Sequence, residues 1–455
     1  MTTLHSADDP RQTRHRSLDG LRGVGALCVM VHHFIAGFLP AAYFGAKGVN
    51  TNAFQDWLAG SPLVVFYNGS FAVHAFFALS GFVIAQSMSP NAVPLTLLVG
   101  RRYLRLAVPM LVSACLAFVL LKVFGDSSRA AAQVVGNPWL QWYHNPSPTF
   151  FQAAWDAVFN PFRFGESNIN RVLWTMRVEL FGSIAIYLVY RLVPRQAVVP
   201  CLFALLVLTI PARFGLGAYM GMAGGALLFE AHASGHLDKL RAGLLGPLLI
   251  VAGLLLGGRA ARDPAETHFY VLHQALSVVA SSFEFTLALG AILLLAGVLL
   301  TSGAHRFLER RVPQFLGRIS FALYLVHIPL MTTLVTCVYL LLPATSARWL
   351  FALPVYLVAA FGVAWLMTRF VDEPLTRQLR RVKEFPAQTW LRVLHAVLAA
   401  LLVGLVGWRL RGDVLSMLVA LVGYAGVFLV GQLLLVRRPA AVSSAPRSAR
   451  EDRLP

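Results

Sequence analysis

Apolar runs close to twenty residues long recur throughout this chain, and they constrain its fold more than any other feature. A run of that length crosses hydrocarbon as a helix. Only a helix or a closed barrel satisfies its own backbone hydrogen bonds in lipid. Hydropathy and basic flanks together predict twelve spans, near 19–38, 63–87, 104–124, 172–191, 197–211, 216–231, 242–257, 283–303, 318–342, 348–370, 392–410 and 414–436. The expected fold is all-α, a polytopic transmembrane bundle. Basic clusters orient it, since Lys and Arg concentrate on the cytoplasmic side. Arg11/Arg14/Arg16, Arg101/Arg102/Arg105, Arg191/Arg195, Lys239/Arg241, Arg306/Arg310/Arg311, Arg377/Arg380/Arg381/Lys383 and Arg437/Arg438 all fall on one side if the chain starts inside. An even number of crossings then puts both termini in the cytoplasm. The fifth to seventh spans are the least regular, being short and interrupted by Pro211 and by glycines.

The net charge of +18 invites a nucleic-acid reading. Its distribution in short segments between apolar runs fits membrane topology instead, and no soluble basic domain is present. Residues 1–12 are polar, with no apolar core and no small-residue cleavage site, so the first span is expected to be retained. Cys28, Cys115, Cys201 and Cys337 sit inside apolar runs at no metal-ligand spacing, which reads as packing. His32, His33, His268 and His273 likewise lack supporting ligands, so no metal site is expected. Two long outward loops are expected, about 125–171 and 258–282. The first carries Pro138-Trp139-Leu140-Gln141-Trp142-Tyr143, aromatics that suit an interfacial belt and would also stack on sugar rings. The Ser-, Pro- and Arg-rich tail after Arg437 reads as disordered.

Against this apolar background the polar intrusions stand out. Ionisable groups in hydrocarbon cost several kcal/mol unless they face a polar interior. Asp19, Arg22, Ala26, Val29 and His33 alternate steps of three and four and share one stripe of the first span. Arg22 and His33 are eleven residues apart, about three full turns, whereas His32 falls about 100° off the stripe. In the second span His74 precedes Phe76-Phe77-Ala78-Leu79-Ser80-Gly81-Phe82, where Ser80-Gly81 reads as a close-packing site or, alternatively, a nucleophile. Arg101, Arg102 and Arg105 stand ahead of Pro109, either as topological anchors or as forks for phosphate oxygens.

In the fourth span Trp174 precedes Thr175, Glu179 and Ser183, which share a face at i±4. Counted from the expected outer boundary, Glu179 and His33 lie at equal depth, so the carboxylate is expected to orient the imidazole. Ser320, Tyr324 and His327 form a further stripe at i, i+4, i+7. Asp372-Glu373-Pro374 is expected to end the tenth span.

Taken together, Leu18-Asp19-Gly20-Leu21-Arg22-Gly23…His33, the Phe-Phe-x-Leu-Ser-Gly-Phe run, Arg101-Arg102-x-x-Arg105…Pro109, Leu173-Trp174-Thr175…Glu179, Ile319-Ser320…Tyr324-Leu325-Val326-His327 and Glu373-Pro374 resemble the acyltransferase 3 family of integral membrane O-acyltransferases. Many members carry Asp where this chain has His74. The resemblance implies ten core helices. The chain then divides into a domain over 1–375, two added C-terminal helices within 376–436 and a basic tail over 437–455. It further implies transfer of an acyl group, often acetyl, from acyl-CoA as co-substrate to a hydroxyl of an extracytoplasmic glycan or glycolipid. On that reading the protein sits in a bacterial cytoplasmic membrane among lipids, with no other cofactor.

His33 would be the general base, oriented by Glu179, and Arg22, Arg101, Arg102 and Arg105 would hold donor phosphates. Asp19, about 21 Å down the helix from His33, would hold Arg22. Intramembrane His, Glu and Arg also make proton relays, so a proton-coupled transporter or exporter is the rival reading. Inverted repeats would favour that rival, and the sequence has none.

Overall fold

A computed structural model describes residues 10–45, 52–88, 93–141, 147–209, 217–241, 243–259, 283–345 and 347–382. Every regular element among them is helical. The longer helices are α1 (Pro10–Phe38), α2 (Gly69–Ser87), α3 (Leu95–Phe124), α4 (Thr175–Leu192), α5 (Val198–Leu208), α6 (Gly217–Ala233), α7 (Leu245–Gly257), α8 (Phe283–Leu300), α9 (Arg311–Leu330), α10 (Arg348–Met367) and α11 (Glu373–Arg381). Seven helical stretches among the described residues are long and apolar enough to cross a membrane: Arg16–Phe38, Gly69–Ser87, Leu95–Phe124, Arg171–Leu192, Phe283–Leu300, Arg311–Leu341 and Arg348–Arg381. The expected fifth, sixth and seventh spans correspond to α5, α6 and α7, which are 11, 17 and 13 residues long. The last two expected spans, most of the 258–282 loop and the tail lie outside the described residues.

Small residues set the helix crossings, as in lipid they must, because apolar side chains there gain little by leaving one apolar medium for another. α1 packs against α9 and α2, and α2 against α6. A Cβ on Gly23 would collide with the backbone of Gly317, and one on Gly317 with the Asp19 carbonyl. The two backbones therefore touch at this crossing. α1 and α9 run parallel: Gln314 Nε2 donates to the Arg16 carbonyl at 2.6 Å, and further along the pair His33 meets His327. Gly81 sits where a Cβ would strike the Met222 carbonyl, which supports the packing reading of Ser80-Gly81.

Two expectations change. Asp372-Glu373-Pro374 does not end the helix. A π-helical turn over Thr368–Asp372 widens the backbone, and Pro374 falls in the first turn of α11, where its missing N–H costs little. Helix continues to Arg381, with Glu373 accepting from Arg318 at 2.6 Å. The segment 125–171 is also more than a loop. It holds helices at Ser127–Val135, Phe150–Val158 and Asn160–Arg163. The buried Asp156 carboxylate organises residues 167–169, accepting from Ser167 Oγ (2.5 Å), Asn168 N (3.0 Å) and Ile169 N (3.1 Å). That carries Asn170 into the bundle, where its Nδ2 donates to the Leu325 carbonyl at 2.8 Å.

Candidate functional site

His33 and His327 meet because their helices share a crossing and an equal count. Gly23 touches Gly317, and each histidine lies ten residues further on, about 15 Å up parallel helices. His327 Nε2 lies 3.1 Å from His33 Nδ1, with ring centroids 4.9 Å apart. Each Nδ1 also faces the carbonyl one turn back in its own helix, Val29 for His33 at 2.9 Å and Leu323 for His327 at 3.0 Å. Trp139 stacks on His33 at 6.0 Å between ring centroids, so this aromatic turns toward the bundle rather than forming a belt. His32 points elsewhere, its Nδ1 3.1 Å from the Tyr67 carbonyl.

The equal depth expected of His33 and Glu179 does not hold. Because Asn170 dips into the bundle, α4 starts beside Tyr324, one turn short of His327. Thr175 Oγ1 and Tyr324 Oη are 3.0 Å apart, and Tyr324 Oη also donates to the Val172 carbonyl. Glu179 lies one turn further down, about 10 Å from the level of the histidine pair. Its carboxylate accepts from Ser80 Oγ, 2.8 Å from each oxygen, and forms an ion pair with Arg102. The imidazole partner expected of Glu179 is thus replaced by Ser80 and Arg102, and the partner of His33 by His327.

The Glu179 cluster lines a cavity of about 520 Å³ bounded by α1, α2, α3, α4 and α9, and the histidine pair stands just beyond it. Asp19, Arg22, Ser80, Arg102, Arg105, Glu179, Ser320 and Tyr324 all line it, so eight residues singled out in the sequence converge here. At one end stand Arg22, paired with Asp19, and Arg105, which faces Asp372. Arg380 of α11 joins them. At the other end stands Tyr324, whose ring centroid lies 5.9 Å from that of His327. The cavity therefore runs from a cluster of guanidinium groups to within one helical turn of the histidine pair. Such a shape suits a long ligand with an anionic head and a reactive tip.

Arg101, His74 and Trp174 lie outside it. Arg101 donates to the Val382 carbonyl and ties α3 to the end of α11. His74 is buried, its Nδ1 2.8 Å from the Ser70 carbonyl. Trp174 is half exposed and meets Phe77 edge to face. Ser320 lines the cavity while donating to the Gly317 carbonyl at 2.8 Å.

Two features escape sequence reasoning. Arg380 reads there as a topological anchor, and only the continuation of helix past Pro374 brings it to the cavity. The His33–His327 pairing does leave a signal, a glycine ten residues before a histidine in both helices. That signal needs knowledge that the glycines touch.

A family model described as an acyltransferase domain, Acyl_transf_3, matches residues 15–369, more than three quarters of the chain. No curated protein and no solved structure matches it.

Proposed function

This chain belongs to the acyltransferase 3 family and is an integral membrane acyltransferase, and from that premise we propose that it moves an acyl group, acetyl in our reading, from cytoplasmic acyl-CoA to a hydroxyl of an extracytoplasmic glycan or glycolipid. In this reading both termini are cytoplasmic and the membrane is a bacterial inner membrane. The observation that carries the proposal is the cavity of about 520 Å³ that starts among arginines and ends at Tyr324, next to the His33–His327 pair.

The donor enters from the arginine end. Its phosphates meet Arg22, Arg102, Arg105 and Arg380, whose forks match phosphate oxygens. Its pantetheine arm runs up the cavity toward Tyr324. The acceptor approaches from the opposite face. His33 removes the hydroxyl proton as the oxygen attacks the thioester carbonyl. The new C–O bond forms, the C–S bond breaks, and the proton passes to the departing sulfur. Direct transfer is favoured over an acyl-enzyme because Ser80, though hydrogen-bonded to Glu179, lies with that carboxylate about 10 Å from the level of the His33–His327 pair, and Cys28 Sγ packs 3.7 Å from the Val65 and Asn68 carbonyls.

Purified protein in lipid bilayers, given acetyl-CoA and candidate glycans, tests the reading by mass spectrometry. Wild type gains an acetylated glycan, and His33→Ala, folded to the same extent, loses roughly 10²- to 10⁴-fold in rate. Donor binding without transfer would count against the acceptor class. Absence of donor binding would favour the rival reading, a proton-coupled transporter or exporter.

A further inference from the structure

We infer that His327 is a positioning residue for the base: its Nε2 accepts the Nδ1–H of His33 and so leaves the basic lone pair of His33 on Nε2. This rests on the reading of His33 as general base.

The assignment follows from which atoms can donate. A carbonyl oxygen only accepts. His327 Nδ1, 3.0 Å from the Leu323 carbonyl, therefore carries the single N–H of the neutral ring. The Nε2 of His327 is then an acceptor, and it lies 3.1 Å from His33 Nδ1. That nitrogen also faces the Val29 carbonyl at 2.9 Å. Both of these neighbours accept, so His33 Nδ1 must donate, sharing one hydrogen between them. A neutral imidazole has one N–H, and Nε2 of His33 is left to take the substrate proton.

The pair also answers a problem posed by its surroundings. His327 is fully buried, and Tyr324, anchored by Thr175 and the Val172 carbonyl, packs against its ring. A carboxylate in this position would leave an uncompensated anion in the bundle whenever His33 is neutral, a costly state. A neutral imidazole costs less at rest. It still gains when His33 becomes imidazolium, because the Nδ1–H is then a charged and stronger donor. No proton passes further, since the Leu323 carbonyl behind His327 has no site to receive one.

Two measurements decide this. In lipid, ¹⁵N NMR of histidine-labelled protein reads tautomers without any need for activity. Both His33 and His327 are expected neutral with Nδ1 protonated and Nε2 bare, and a His33 ring protonated on Nε2 instead overturns the inference. In transfer assays His327→Ala is expected to lower kcat about 100-fold with the KM for acetyl-CoA within roughly twofold of wild type. His327→Gln, whose amide oxygen can accept the Nδ1–H, is expected to recover about tenfold of that loss. A wild-type kcat in His327→Ala, or a His327→Gln no better than His327→Ala, overturns the inference. A wild-type protein that transfers no acyl group fails the functional reading itself, and the tautomers then decide the pair alone.

Discussion

Glu179 is held by two different kinds of donor, and the arrangement has a measurable consequence. Ser80 donates to both carboxylate oxygens at 2.8 Å, and Arg102 supplies the charge that makes an anion tolerable inside the bundle. Removing one partner of such a pair strands the other charge, which costs far more than the pair is worth intact. Glu179→Gln and Arg102→Met are therefore expected to destabilise the protein singly and to be less than additive together. The coupling energy should be about 1–3 kcal/mol in a double-mutant cycle read by thermal unfolding in lipid. Independent, additive losses would mean that the two side chains do not act as a pair. Arg102 thus has two tasks, since it also lines the cavity, and Arg102→Met should raise the KM for acetyl-CoA as well.

At the scale of the helix, the crossing of α1 and α9 at Gly23 and Gly317 sets the height at which the two histidines meet. Any side chain at Gly23 meets backbone rather than a movable group. Gly23→Val is expected to destabilise the fold by about 1–3 kcal/mol and to depress transfer by separating the His pair. Gly362, in α10 with nothing within 4 Å of an added Cβ, provides the control. Gly362→Ala should be stabilising by about 0.4–1 kcal/mol through the unfolded chain. Equal losses from both substitutions would deny the crossing its special place.

Helices of this kind are legible in sequence because a long apolar run reports the existence of a spanning helix directly, as in α1, α2, α3 and α8. The polar stripes are legible too, and most of them converge on the cavity. Depth stays hidden. Counting from a boundary at 172 assumes that α4 begins at the membrane surface, whereas Asp156 and Asn170 draw that boundary into the bundle. Pairing is hidden for a related reason. The stripe Ser320, Tyr324, His327 fixes a face of α9, yet only backbone contact at two distant glycines tells which residue of α1 stands opposite.

Across the whole molecule, charge is concentrated at one mouth of the cavity. Arg22, Arg102, Arg105 and Arg380 line it, against Asp19 and Glu179 as the lining carboxylates. Arg22 and Arg102 have those two partners, and Arg105 faces Asp372. Arg380 is exposed and has no ion-pair partner among the described residues. A cleft of one sign with low-dielectric walls raises the local concentration of an oppositely charged ligand, and salt weakens that effect beyond a Debye length of about 10 Å at 0.1 M. In the proposed reaction the donor carries phosphates and the acceptor hydroxyl is neutral, so salt should separate the two substrates. The KM for acetyl-CoA is expected to rise as ionic strength increases, while the KM for an uncharged glycan stays flat.

Arg380 is the residue on which this can be tested most cleanly, because it lies beyond the matched family region and no catalytic step passes through it. Arg380→Gln should raise the KM for acetyl-CoA roughly two- to fivefold, the range of an exposed ion pair, leave kcat unchanged and flatten the salt dependence. With an acyl-pantetheine donor that lacks the nucleotide phosphates, the substitution should have no effect. A lowered kcat with either donor would instead place Arg380 in holding the fold of the mouth, and the anionic head of the ligand would have to be met by the remaining arginines alone.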